Sequence, residues 1–219
     1  MDLSVFLSNL SIWAIPVLFA ITLHEVAHGW TARYFGDHTA QLLGRLSLNP
    51  LRHVDPLGTV IIPGTLLAFG IPPFGWAKPM PVETSGLRNP RRTSIMIALA
   101  GPAANILMAI LWGVVLALVL QIRRGQTLDN WVLLMAQAGI KVNAVLAVFN
   151  LLPIPPLDGG RVLVGVLPAR LGAGLQKIAP AGMFIVVGLS VLGLLGWLFR
   201  PAYRAAGQLI HVLGIGLSA

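Results

Sequence analysis

The feature that most constrains this chain is an apolar run whose second half carries three chemically reactive side chains. Ser11 to Tyr34 reads SIWAIPVLFAITLHEVAHGWTARY, long enough to cross a membrane and free of charge before Glu25. Lipid leaves a segment of this kind little choice but a helix, because every backbone group must be satisfied internally. Each helical residue advances about 100°, so His24, His28 and Glu25 fall at about 0°, 40° and 100°, on one narrow arc. Two imidazoles one turn apart can hold one zinc ion, and the neighbouring carboxylate can take a proton from a water that the metal has acidified. Charged groups at membrane depth cost roughly 2.5–3.5 kcal/mol each, which argues against a bystander role. The pattern is that of an enzyme.

The rest of the composition agrees with a membrane setting. The chain has 219 residues, of which 56% are hydrophobic and 10% charged, against about 25% charged in a typical soluble domain. Its net charge of +8 does not mark a nucleic-acid binder, since the basic residues lie scattered between apolar spans; in such a chain they report topology and contact with the lipid bilayer. Cysteine is absent, which excludes disulfides and thiolate metal sites and leaves imidazole and carboxylate as ligands. The N-terminus lacks a basic n-region and a clear cleavage site, so the first apolar run reads as a retained span.

Four segments approach the roughly 20 apolar residues that a spanning helix needs: about 12–34, 94–122, 130–152 and 182–199. The third carries Lys141 near its middle, which a lipid-facing helix does not tolerate. A shorter helix is expected over about 202–217. Thr59 to Ile71, interrupted by Pro63, Gly64 and Gly70, is too short to span and is expected to be re-entrant. On that reading Arg33, Arg45, Arg52, Lys78, Arg88, Arg91, Arg92, Arg161, Arg170 and Lys177 share the cytoplasmic side. Arg123, Arg124, Arg200 and Arg204 lie outside, as the positive-inside rule prefers. The expected fold is an all-α polytopic membrane protein with about four transmembrane helices, re-entrant or short β segments and a C-terminal helix. It forms a single membrane-embedded domain over 1–219, with a catalytic core at about 11–167 and accessory helices at about 180–219. Two stretches, Gly44 to Pro50 and Met80 to Val82, could form short strands that pair with an extended substrate; an ordinary interfacial loop is at least as good a reading of each.

Two histidines leave a zinc site incomplete, and few acids can finish it: Asp2, Asp37, Asp55, Glu83, Asp129 and Asp158 besides Glu25. Asp158 stands out, after the prolines of Asn150-Leu-Leu-Pro153-Ile-Pro155-Pro156-Leu157 and before Gly159 and Gly160. The prolines end the third helix and the glycines allow close approach. Asp158 alone reads equally as the N-cap of a helix over 160–167 or as a third ligand; the histidine pair and the shared depth favour the ligand.

Three ordered motifs now stand in the chain: His24-Glu25-Val26-Ala27-His28, Gly101-Pro102-Ala103-Ala104-Asn105, and Asn150…Pro153…Pro155…Leu157-Asp158-Gly159. Together they resemble the site-2 proteases, zinc metalloproteases that cut within the membrane. Gly75-Trp76-Ala77-Lys78-Pro79 and Asn49-Pro50-Leu51 are similar to runs in the small bacterial members, which lack a soluble regulatory domain. The resemblance covers about 18–167. It implies one Zn2+ per chain bound by His24, His28 and Asp158, with Glu25 as general base and Asn105 and Asn150 supporting the substrate or its oxyanion. On the residues alone, an interhelical hydrogen bond is a nearly equal reading of Asn105. Some relatives carry an asparagine where this chain has Val145; Asn143 stands nearby as a weaker substrate-contact candidate. The resemblance further implies endopeptidase action on single-span membrane proteins, in a bacterial inner membrane with the site opening toward the cytoplasm. A non-hydrolytic zinc transporter or a scaffold is the alternative.

Overall fold

Apolar runs without internal partners for their backbone can only coil, and the computed structural model is helical throughout its regular elements. It describes residues 3–62, 64–65, 75–122 and 130–216. Helix α1 (Leu3–Tyr34) carries Pro16 and ends where Gly36 takes a left-handed φ of 101°, the usual glycine exit from a helix. Asp37 follows, buried, with one carboxylate oxygen accepting the Thr39 amide at 2.9 Å and the other the Glu83 amide at 2.7 Å. Burial alone would raise its pKa, but these hydrogen bonds outweigh it and hold the carboxyl below its ordinary value. The link also brings the chain leaving α1 and the chain about to re-enter the bundle to the same end of the molecule.

Between those points lie a short helix α2 (Thr39–Leu42), a 3-10 turn (Pro50–Arg52) and a π turn (Pro56–Ile61). Residues 76–80 run alongside this segment. The Trp76 amide donates to Gly58 O at 3.1 Å and the Lys78 amide to His53 O at 2.9 Å, while Arg45 Nη2 donates to Lys78 O at 2.8 Å. Among the described residues no strand forms, so the expected β segments at 44–50 and 80–82 are corrected. Gly44 turns the chain with φ 64°, the Asn49 side chain accepts the Leu51 amide and starts the 3-10 turn, and Pro79 and Pro81 have no N–H for a ladder. Of the expected re-entrant stretch 59–71, positions 63 and 66–71 lie outside the described residues.

Two long helices form the centre: α3 (Pro90–Ile122) and α4 (Asn130–Asn150). Arg123 and Arg124 lie outside the described residues. Along α3, Ile106, Ile110, Val114 and Leu118 are about half exposed, one residue every fourth, a stripe suited to lipid. Ile97, Gly101 and Asn105 are buried on the other side. The buried face of α4 is Ala136, Ile140, Asn143 and Ala147, and Lys141 beside it is half-buried rather than open to lipid.

After the prolines come α5 (Asp158–Val166), α6 (Ala169–Gln176), α7 (Ala179–Val191) and α8 (Leu194–Gly216). The fourth expected span, 182–199, is therefore interrupted: Gly193 takes φ 71° and separates α7 from α8. Thirteen residues make only about 20 Å of helix, short of the roughly 30 Å hydrocarbon layer. Among the described residues, three helices are long and apolar enough to cross a membrane, over Ser11–Tyr34, Pro90–Ile122 and Trp131–Asn150; α6 and α7, bent by 51°, would make a fourth if counted as one span. The chain is thus a polytopic membrane protein whose described regular elements are all helical.

Candidate metal centre

The helical spacing of α1 places His24 and His28 side by side, with ring centroids 4.6 Å apart. They face α3 at Gly101, where a Cβ would overlap His28 Nε2 and His24 Cε1. Glycine there lets the backbone of one helix serve as the wall behind two imidazoles.

Asp158 reaches the same point from 130 residues further along. A Cβ on Gly159 would overlap the carbonyls of Leu151 and Leu152, and one on Gly160 would overlap the backbone of Ile154 and Pro155; the two glycines let α5 begin directly against the proline turn. From the other end, the Arg91 guanidinium donates from Nε and Nη2 to Gly165 O at 3.1 and 2.9 Å, and from Nη2 to Leu167 O. It thereby ties the last turn of α5 to the first turn of α3. The N-cap position of α5 is Leu157, without a side-chain cap, so Asp158 does not serve as the cap. Its Oδ2 lies 3.2 Å from His24 Nε2 and 3.3 Å from His28 Nε2, and the two Nε2 atoms are 3.1 Å apart.

This triangle suits zinc. Ligand atoms at 2.0–2.1 Å around a tetrahedral zinc are separated by about 3.3–3.4 Å. The chemistry of the donors agrees. His28 Nδ1 lies 2.7 Å from Ile97 O, a carbonyl that can only accept, so this nitrogen carries the proton and Nε2 presents a lone pair. His24 Nδ1 lies 2.6 Å from Asn105 Oδ1 in the same relation. Two lone pairs and a carboxylate oxygen that is buried without a hydrogen bond therefore converge, an arrangement that a cation reconciles. All three residues are at least nine-tenths buried, and they form a group able to hold one metal ion.

Glu25 is half-buried, and its Oε2 accepts the Met80 amide at 2.7 Å. Met80 is a contributor that sequence reading missed, because a backbone amide has no letter of its own. The two asparagines part company. Asn105 is fully buried and its amide group is engaged twice, to Ala20 O at 3.2 Å and Asn143 Oδ1 at 2.9 Å. As folded it offers no donor to an oxyanion, contrary to the expectation for it. Asn150 is half-buried and uses its amide only on Leu146 O, at 3.0 Å, which leaves one amide hydrogen for a ligand. His53 lies in a turn and is buried, with Nε2 at 2.7 Å from Ser47 O.

Comparison with known proteins gives the same direction. The family model described as peptidase family M50 matches residues 116–193, a stretch that contains Asp158. A Bacillus subtilis protein named "Putative zinc metalloprotease YwhC" is 34% identical over 209 residues, covering 91% of this chain and 89% of its own length. Two mycobacterial proteins of the same description, both called Rip2, are similar over 85% of this chain and 69% of their own: that of Mycolicibacterium smegmatis is 34% identical over 191 residues, and that of Mycobacterium tuberculosis 33% over 198. No solved structure matches the chain.

Proposed function

This chain belongs to peptidase family M50, the site-2 protease family of zinc metalloproteases, and on that premise we propose that it hydrolyses peptide bonds within or beside the transmembrane segments of single-span membrane proteins. His24, His28 and Asp158 hold the zinc in this reading, and Glu25 is the general base. The observation that carries it is the triangle of two imidazole nitrogens and one carboxylate oxygen with edges of 3.1 to 3.3 Å, beside a carboxylate on the same helix. Zinc, when bound, supplies Lewis-acid polarisation of the scissile carbonyl and lowers the pKa of a water. Glu25 accepts the proton of that water and returns it to the departing amine. The Met80 amide holds Glu25 Oε2, which fixes the orientation of the carboxylate and leaves Oε1 for the proton. Asn150, with an amide hydrogen to give, is the donor for the developing oxyanion. Asn105 acts on His24.

The cytoplasmic opening is part of the same proposal. Arg33 stands in the last turn of α1, at its His28 end, and Arg45 and Lys78 lie along the loop that follows, a gathering of basic residues of the kind that the positive-inside rule favours on the cytoplasmic side. The setting in a bacterial inner membrane rests on the bacterial origin of the relatives. A test uses purified full-length chain in detergent with single-span substrates. Wild type is expected to cleave in a zinc-dependent way and Glu25→Gln to lose at least about a hundredfold, in keeping with general-base contributions of 10²–10⁴. Cleavage unchanged in Glu25→Gln would overturn the mechanism, and zinc uptake without any cleavage would favour a transporter or scaffold.

A further inference from the structure

Behind the metal centre lies a buried row of amides that the catalytic scheme leaves unexplained. His24 Nδ1 meets Asn105 Oδ1 at 2.6 Å, Asn105 Nδ2 meets Asn143 Oδ1 at 2.9 Å, and Asn143 Nδ2 meets Gly139 O at 2.9 Å. Both asparagines are 0% exposed. Each amide has one accepting and one donating end, so the direction of the row is set at its terminus. Gly139 O is a backbone carbonyl and can only accept; Asn143 must therefore aim its NH₂ at Gly139 and its oxygen at Asn105. Asn105 must then turn its NH₂ toward α4 and its oxygen toward His24. Ala20 O, also a pure acceptor and 3.2 Å from Asn105 Nδ2, imposes the same sense independently.

We propose that Asn143 is a positioning residue for the metal centre, acting through Asn105 to hold His24 in the tautomer whose Nε2 is free to bind zinc. The inference rests on the reading of His24 as a zinc ligand. Without Asn143, Asn105 loses one of its two acceptors and its amide is held by Ala20 O alone; His24 is then less firmly held with the proton on Nδ1. Outer-shell partners of ligating histidines act in this way, orienting the ring and fixing its tautomer. The row also links three helices, because His24 and Ala20 lie on α1, Asn105 on α3 and Asn143 on α4. A substrate role for Asn143 has no support in this geometry, since its side chain is closed off between Asn105 and its own helix.

The test measures zinc affinity of the purified full-length chain in detergent by competition with a chromophoric chelator. The variants are Asn143→Leu, which keeps the shape and removes the polarity, Asn105→Leu, and the double variant. Asn143→Leu is expected to weaken zinc binding about tenfold, within the 10–100-fold range of outer-shell partners. Asn105→Leu is expected to weaken it at least as much, and the double variant no more than Asn105→Leu alone, because Asn143 acts only through Asn105. In the cobalt-substituted chain, Asn143→Leu is expected to shift the visible absorption bands, which a role confined to helix packing would leave in place. Asn143→Asp, which as the neutral acid that burial favours keeps an oxygen facing Asn105 and an O–H for Gly139 O, is expected to bind zinc more tightly than Asn143→Leu, and it serves if Asn143→Leu fails to fold. Wild-type affinity in Asn143→Leu, penalties that multiply in the double variant, or Asn143→Asp binding no better than Asn143→Leu would each overturn the relay while leaving the protease reading intact. A wild-type chain that takes up no zinc would overturn both.

Discussion

The two helices that supply the proposed metal ligands solve the same problem by opposite means. In α1 the ligands are four residues apart, so ordinary helical geometry sets them side by side and the remaining work is to back the rings against Gly101. Helix α5 has nine residues and contributes one ligand. Nothing in its own geometry aims that carboxylate; the proline turn, the two glycines packed on it and the Arg91 tie at the far end do so. Local periodicity can place a pair, whereas a lone distant ligand needs a dedicated scaffold. The two halves of the site should therefore fail differently.

The largest effect is expected at Asp158. Asp158→Ala removes a ligand rather than a support, so zinc affinity should fall by more than the roughly 100-fold upper range of outer-shell losses, read by metal analysis after dialysis; a full complement of metal would take Asp158 out of the centre. Next comes the wall behind the histidines. Gly101→Val drives a branched side chain into both rings and should cost about 1–3 kcal/mol of stability together with zinc occupancy, measured by thermal unfolding with and without metal. Unchanged melting would mean that the pair in α1 does not depend on α3. The smallest effect should come from Arg91→Met, which frees the far end of α5. About a tenfold loss of cleavage, the equivalent of ~1.4 kcal/mol in the barrier, is expected in rate assays with zinc retained. No loss would show that the turn and glycines aim Asp158 unaided.

The same contrast explains what could be read from residues alone. The histidine pair and Glu25 were legible because i, i+1 and i+4 on a helix need no knowledge of the rest of the fold. Asp158 was legible for a different reason: so few acids exist in the chain that the one framed by prolines and glycines stood out. Contacts made by main chain were not legible, and Met80 on Glu25 is the clearest instance. Asn105 was identified as a site residue, but its partners were hidden. Which end of an amide faces a histidine depends on carbonyls 34 and 85 residues away, at Gly139 and Ala20. The expected fourth span, 182–199, is interrupted at a single glycine, Gly193, whose left-handed turn breaks a run that composition alone would have carried straight through. The expected strands failed because proline and glycine took the positions where a ladder needs donors and extended backbone.

The distance along the chain between the donors has a consequence for biosynthesis. A polypeptide emerging from the ribosome exposes the two imidazoles and the glutamate early, while the carboxylate that completes the cage is still untranslated. Until α5 is drawn against its proline turn, the nascent chain has only two of the three donors proposed for zinc. On the proposed reading the metal cage therefore closes late, only after α1, α3 and α4 have been made.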